Sequence, residues 1–173
     1  MKVDYYVQLR NINNALRLAD RYHIDRAKQI YRTGLVESDF LYDVDKAGTA
    51  FSYFQIELTT AQSLFFDTYP NIAKHDGMWD LPIAVFAGVK LPFNVIKAML
   101  TKQNLNIWGT YIPIWLCDMK YRTVAEPIPP HTDLKAQAKY WKQYYNTTGG
   151  VGSVSYFVDK VYENEKLILK EAL

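Results

Sequence analysis

Apolar residues recur every three or four positions along most of this chain, which is the spacing that places them on one face of a helix. The stretches with this pattern are NINNALRLADRY (11–22), the segment from His23 to about Phe40, LKAQAKYWKQYYN (134–146) and SYFVDKVYENEKLILKEAL (155–173). We predict a helix in each, with Asn11 or Asn13 as the N-cap of the first. Pro113 lies in a further apolar stretch and is expected to kink or interrupt a helix there.

Two stretches break the helical pattern. YDVDKAGTAFSYF (42–54) is poor in helix formers and contains the turn-prone pair Ala47-Gly48, so we expect at most a small β-hairpin near residues 41–56. EPIPPHTD (126–133) has three prolines in four residues, at 127, 129 and 130, and is the clearest connector. A chain of 173 residues without internal repeats is expected to form one domain, here of mainly α class.

Composition and charge narrow the classes of function. The 14 Tyr and 4 Trp pair a large apolar face with a polar tip, which suits a core but also the lining of a sugar-binding cleft. A net charge of +2 without a cluster of basic residues argues against nucleic acid as a partner. A single cysteine, Cys117, excludes an intramolecular disulfide and a cysteine-based zinc site, and we expect it to be buried. The three histidines are far apart, so no metal site and no cofactor is predicted.

The N-terminal and apolar segments bear on location. MKVDYYVQLRN (1–11) carries an early acid and no apolar core, unlike a secretory signal. The longest apolar stretch, LPIAVFAGVKLPF (81–93), is interrupted by Lys90 and two prolines and is not expected to span a membrane. We therefore expect a protein that is made in the cytoplasm without a signal peptide. If it acts elsewhere, another component has to deliver it.

Glu37 interrupts an apolar pattern at the end of the second predicted helix. Leu35, Val36, Phe40 and Leu41 surround it, and no Lys or Arg follows within four residues. A carboxyl group buried among apolar residues has a raised pKa, and glycoside hydrolysis needs such an acid to protonate the leaving oxygen. By position alone, a solvated acid at a helix end would explain Glu37 as well.

The letters around Glu37 add a resemblance. LVESDFLYDVDKAGTAFSYFQIELTTA (35–61) is similar to the soluble lytic transglycosylase and lysozyme-like family. The family pattern Glu-Ser-x-Phe/Trp matches residues 37–40, its small-x-x-Gln-Ile/Leu element matches 52–56, and its Thr-Ala element matches 60–61. Gln55 follows Glu37 by 18 positions, which is the usual interval in that family.

The resemblance covers about residues 24–120 and is strong over 35–61. It implies the lysozyme-like (transglycosylase) fold in a single domain, 1–173, with a catalytic core at about 24–126 and a C-terminal helical extension at 131–173. The family usually also shows Ala-Ala-Tyr-Asn-Ala-Gly, whose tyrosine helps to position the sugar and the acid. This chain departs there, since it has TYIPIW at 110–115.

The resemblance implies that the substrate is peptidoglycan, cut between N-acetylmuramic acid (MurNAc) and N-acetylglucosamine (GlcNAc), with Glu37 as general acid and base. In a lytic transglycosylase the 6-hydroxyl of the sugar then closes a 1,6-anhydro ring, whereas in a lysozyme water attacks, often assisted by a second carboxylate. The candidates for that second carboxylate are Asp43, Asp45 and Glu57, with loop solubility as the alternative for the two aspartates. The expected substrate-binding residues are Ser38, Ser52, Tyr53, Gln55, Tyr111 and Trp115, with Tyr121 as another substitute for the family tyrosine.

Two other readings stay open. A lysozyme-like domain without the Tyr-Asn-Ala-Gly element could be a catalytically inactive structural protein of a phage particle, and a helical adaptor would explain the amphipathic helices but not the letters around Glu37. YWKQYYNTTGGVG (140–152) resembles segments of small phage structural or lysis proteins, which favours a phage or prophage origin. Together with the peptidoglycan substrate that residues 35–61 imply, this leads us to expect action at the cell wall, delivery in a virion and other virion proteins as partners. The glycine-rich TTGGVGS (147–153) lacks the Lys-Ser/Thr pair of a phosphate loop and is predicted to be a flexible turn.

Overall fold

Helices dominate the computed structural model, which describes residues 3–41, 48–71, 88–101, 107–146 and 150–171 and is 69% helical. Its seven α-helices are α1 Tyr5–Leu18, α2 Ile24–Ser38, α3 Leu58–Ser63, α4 Phe93–Leu100, α5 Ile107–Arg122, α6 Leu134–Trp141 and α7 Val154–Glu171. Two of them continue as π-helical turns, α3 over Leu64–Thr68 and α6 over Lys142–Asn146. None of the helices in these ranges is long and apolar enough to cross a membrane.

Two short strands form the one small sheet in the described part of the chain. Strand β1 (Ala50–Phe51) pairs antiparallel with β2 (Ile56–Glu57), with Phe51 opposite Ile56. The four residues between them make the turn. A mainly α fold with a small hairpin near residues 41–56, as predicted, is thereby confirmed.

Helix α1 begins earlier than the sequence pattern indicates. The carboxylate of Asp4 accepts a hydrogen bond from the backbone N–H of Val7 (3.0 Å), and the helix runs on from Tyr5. An aspartate at this position satisfies one of the N–H groups that a helix start leaves without a partner. The prediction of an N-cap at Asn11 or Asn13 is therefore wrong.

Helix α2 lies at the centre of the fold, in contact with α1, α5, α6 and α7. Its buried side chains include Arg32, a polar residue that would be costly to bury without partners. Arg32 donates to the carboxylate of Glu165 (2.7 Å), the side-chain oxygen of Gln137 (2.8 Å) and the carbonyl of His131 (2.8 Å). The helices of the predicted C-terminal extension are thus bonded directly to the helix that carries Glu37.

The end of α2 is held in a defined conformation. Asp39 and Phe40 both have positive φ angles (57° and 55°), so the chain turns sharply and the Phe40 ring folds back over Gly34. The Asp39 carboxylate accepts hydrogen bonds from the hydroxyl of Tyr5 (2.9 Å) and the ammonium of Lys160 (2.8 Å). These contacts fix the last turn of α2 against both α1 and α7.

Gly34→Ala is expected to destabilise the protein. An added Cβ would lie 2.5 Å from Cε1 of Phe40, whose ring is confined by Tyr31 and Tyr53. Overpacking of this kind costs about 1–3 kcal/mol, and it opposes a helix-propensity gain of up to about 1 kcal/mol. Urea denaturation should show a net loss of stability. Adding Phe40→Leu to Gly34→Ala should recover part of that loss in the double variant. Strictly additive effects of the two substitutions would contradict this contact.

Helix α5 runs through Pro113 without interruption. Of the two predicted effects of this proline, interruption of the helix is wrong, since the buried neighbours Ile112 and Ile114 pack the helix into the core and packing outweighs a local cost of about 3 kcal/mol. The other, a kink, stays a prediction. Cys117, on the same helix, is fully buried as expected.

Candidate active site

Glu37 lies in the last turn of α2, where its half-buried carboxyl group lines a pocket of about 320 Å³. Three parts of the chain build this pocket: the end of α2, the hairpin with the start of α3, and the end of α5 with the π-helical turn after α6. The lining residues are Glu37, Gln55, Glu57, Thr60, Lys120, Tyr145 and Asn146. Carboxyl, amide, hydroxyl and ammonium groups therefore surround one concave space.

Burial controls the charge of Glu37. Removal from water raises the pKa of its carboxyl group above the ordinary value of 4.5, although several neighbours favour the charged form. In order of decreasing effect, these neighbours are the indole N–H of Trp141, which donates to Oε1 at 2.9 Å, the positive charge of Lys120, and a hydrogen bond with Asn146. Glu37 is thus a carboxyl group that holds its proton to higher pH than a solvated one does.

Two hydrogen bonds hold the hairpin turn beside Glu37. The hydroxyl of Ser38 donates to the carbonyl of Tyr53 (2.8 Å), and the hydroxyl of Tyr145 donates to the carbonyl of Phe54 (2.8 Å). Gln55 follows with a positive φ of 49°, and its side-chain Nε2 donates to the carbonyl of Ser52 (2.8 Å). The amide of Gln55 is therefore oriented within the pocket that Glu37 lines.

Lys120 brings a cation to the pocket. Its ammonium donates to the carbonyl of Tyr145 (3.0 Å) and lies 3.8 Å from the centroid of the Tyr145 ring. Burial lowers the pKa of the Lys120 ammonium, whereas the nearby carboxyl groups of Glu37 and Glu57 raise it. Opposite charges thus line different parts of one small cavity.

Gln55 and Glu57 are the predicted site residues that the fold brings together with Glu37. Ser38 and Ser52 are buried, and their side chains bond the backbone of the hairpin turn instead of lining the pocket. Both serines support the hairpin turn in this structure, and their predicted contact with substrate stays a prediction.

Of the other predicted residues near the hairpin, Tyr53 is half-buried and packs edge-on against Phe40 (5.8 Å between ring centroids), away from the pocket lining. The ring packs against the core around the end of α2, and its predicted contact with substrate stays a prediction. Asp43 and Asp45 lie outside the described residues.

Tyr111 and Trp115, the expected substitutes for the family tyrosine, do not line the pocket. Trp115 is 3% exposed, and its indole N–H donates to the carbonyl of Ala15 in α1 (2.9 Å), while the Tyr111 ring packs edge-on against it. Tyr121 is equally buried, and its hydroxyl bonds Thr33 (2.6 Å). All three are core residues, because the side of α5 that carries them faces α1 and α2.

Sequence reasoning missed four residues around Glu37: Lys120, Trp141, Tyr145 and Asn146. Trp141 and Tyr145 stand four positions apart on the apolar side of the amphipathic stretch 134–146, which was the available signal. That pattern indicates only that both side chains face inward. It does not distinguish a core position from the wall of a cleft.

Within the described ranges, no three His, Cys, Asp or Glu side chains are grouped as a metal site would require. Comparison of the chain with protein-family models, with curated proteins and with solved structures finds no match. The function has to be argued from the geometry around Glu37 and from the letters of residues 35–61.

Proposed function

We propose that this protein is a glycosidase that cleaves the β-1,4 bond between MurNAc and GlcNAc in peptidoglycan, with Glu37 as general acid and base. The observation that carries the proposal is a half-buried carboxyl group with a raised pKa on the wall of an accessible pocket. An acid in such surroundings keeps its proton to higher pH than a solvated carboxyl group does, which favours a role as general acid. The fold class that goes with this proposal is the lysozyme-like (transglycosylase) one.

The proton on Glu37 would pass to the glycosidic oxygen as the bond to the anomeric carbon breaks, so that the leaving sugar departs as an alcohol. The resulting Glu37 carboxylate would then accept a proton from the incoming nucleophile. That nucleophile is the 6-hydroxyl of the muramic acid in a lytic transglycosylase, and water in a hydrolase.

Two lining residues have roles that their geometry suits. Because Nε2 of Gln55 is engaged by Ser52, its amide oxygen is directed to accept a hydrogen bond from a sugar hydroxyl or acetamido N–H. Glu57 carries an exposed carboxylate on the same pocket and is the candidate second acid among the described residues. Asp45 keeps its place as the other candidate.

Digestion of purified peptidoglycan tests the proposal. Wild-type protein should release soluble fragments, and Glu37→Gln should not. Fragments with 1,6-anhydromuramic ends identify a transglycosylase, and reducing ends identify a hydrolase; in the second case Glu57→Gln should also lower the rate. Binding to peptidoglycan without release of fragments would instead support the inactive structural protein of a phage particle.

The pH dependence of cleavage should follow Glu37. Activity requires its protonated form, so kcat/KM is expected to fall as pH rises through the Glu37 pKa, which burial places above 4.5. The pH profile of kcat/KM on soluble glycan fragments measures this limb. Glu163→Gln removes an exposed carboxylate on α7 and serves as the control, with an unchanged limb. A limb at or below 4.5 would contradict the assignment.

We also propose where the protein acts and what delivers it. The glycan strands of the cell wall would be the partner, and a phage particle, with its other virion proteins, would carry the enzyme to the wall. This part rests on the resemblance of residues 140–152 alone. Co-purification of the protein with phage particles would test it.

A further inference from the structure

Trp141 occupies a position between the acid and the glycine-rich turn. It is 1% exposed, and its indole N–H donates to Oε1 of Glu37 at 2.9 Å. The benzo edge of the ring next to that N–H faces Gly152, where an added Cβ would lie closer than 3.0 Å to Cη2 and 3.2 Å from Cζ2 of the indole. Phe157 of α7 packs against the ring, with 5.1 Å between centroids. Close packing at Gly152 and the contact with Phe157 therefore restrict the movement of the indole within its site.

We propose that Trp141 is the positioning residue of Glu37 and that Gly152 sets the location of its ring, so that the proton of neutral Glu37 resides on Oε2. The catalytic meaning of this arrangement rests on the proposed function, whereas the contact itself does not. Trp141 acts through Glu37 and is not itself a donor to substrate.

The chemistry of indole leads to this placement of the proton. An indole N–H is a donor only, and the carbonyl oxygen of a neutral carboxyl group is a much better acceptor than its hydroxyl oxygen, so the contact with Trp141 favours Oε1 as the carbonyl oxygen. A neutral carboxyl group has one O–H, which therefore belongs on the other oxygen. With the Trp141 ring held in place and the proton on Oε2, the carboxyl group of Glu37 has one orientation. The orientation of a catalytic group contributes a large part of its effect on the rate.

Close contacts also explain why glycine stands at position 150, as at position 152. At Gly150 an added Cβ would lie closer than 3.0 Å to the side chain and carbonyl of Asn146, a residue of the pocket. Lys142 donates to both the side-chain oxygen of Asn146 and the carbonyl of Gly150, at 2.8 Å each. Gly150 and Gly152 are thus positions of close packing against the site.

Nuclear magnetic resonance of the wild-type protein tests the contact without substrate. The indole N–H signal of Trp141 should shift as Glu37 titrates, and that response should be absent in Glu37→Gln. Trp115 is the matched control, since it is also buried and its N–H also donates at 2.9 Å, but to the carbonyl of Ala15. A Trp141 signal that shows no titration with Glu37 would overturn the proposal.

Two variants test the role. Trp141→Phe keeps an aromatic ring but removes the donor, so kcat should fall on the order of 10- to 100-fold with KM changed by less than about twofold. Because the N–H favours the charged form of Glu37, the basic limb of the pH profile should also move to higher pH. Gly152→Ala should change kcat and the limb through displacement of the ring. Trp115→Phe removes an equivalent hydrogen bond and should leave the limb in place.

Unchanged kcat and an unchanged limb in Trp141→Phe would overturn the positioning role. Should Trp141→Phe not fold, the titration of the wild-type indole signal still decides. If the wild-type protein shows that titration but releases no glycan fragments, the proposed function fails while the contact between Trp141 and Glu37 holds.

Discussion

Replacing Glu37 with glutamine is expected to lower the rate of peptidoglycan cleavage by about 10²- to 10⁴-fold, which is the usual contribution of a general acid–base group. Glutamine has nearly the same shape and can still accept the hydrogen bond from Trp141 through its amide oxygen, but it can neither donate nor accept the catalytic proton. The fold should therefore persist, as the far-ultraviolet circular dichroism spectrum would show. A variant that keeps most of the wild-type rate would remove Glu37 from the mechanism.

The same variant has a thermodynamic readout that is independent of catalysis. The pKa of Glu37 is raised in the folded protein above the ordinary value of 4.5, so over the interval between the two values the folded state binds more protons than the unfolded state does. Wild-type stability should fall as pH rises through that interval and level off above the folded pKa. Glu37→Gln lacks this loss, so its stability relative to wild type should increase with pH, as urea denaturation at a series of pH values would show.

Removing the carboxylate of Asp118 is expected to have the largest effect on stability. Asp118 is 2% exposed and forms ion pairs with Arg21 (2.6 Å) and with Arg26, which tie the start of α2 and the turn before it to α5. The side chain of Arg21 is itself only 11% exposed. Asp118→Ala would remove this carboxylate from a largely buried guanidinium, and breaking a buried pair in this way costs about 3–5 kcal/mol.

Urea denaturation measures this cost. Asp67→Ala is the control, because Asp67 makes an exposed hydrogen bond with Ser63 and its removal should change stability by no more than about 0.5 kcal/mol. Asp118 does not line the pocket, so cleavage per folded molecule should stay near the wild-type rate. A loss of stability as small as that of the control would show that the two arginines find other partners.

Local signals predicted the elements well where one helix face is apolar over its whole length. The apolar spacing predicted α2, α6 and α7, and the lack of helix formers at 42–54 predicted the hairpin. The start of α1 was missed because Asp4 precedes an ambiguous stretch, and the continuity of α5 through Pro113 was missed because its neighbours stabilise it from other parts of the chain.

The family resemblance of residues 35–61 implied that Glu37 and Gln55 share one site, and both line one pocket. The same reasoning placed Ser38 at the substrate, whereas its hydroxyl bonds the hairpin backbone. The two tryptophans show the limit most clearly. Trp115 and Trp141 are both buried, and each donates its indole N–H to an oxygen at 2.9 Å, but only one of those oxygens belongs to Glu37.

The amino-acid sequence by itself determined the mainly helical class and the place of the hairpin and pointed to Glu37 as the candidate acid, because hydrophobic periodicity, turn residues and short motifs act over a few neighbouring positions. Only the tertiary structure decided what surrounds that acid. Trp141 is 104 positions from Glu37, and its contact depends on how α6 packs against α2. Burial and the partners that set the pKa of a carboxyl group come from such distant segments, and no local pattern encodes them.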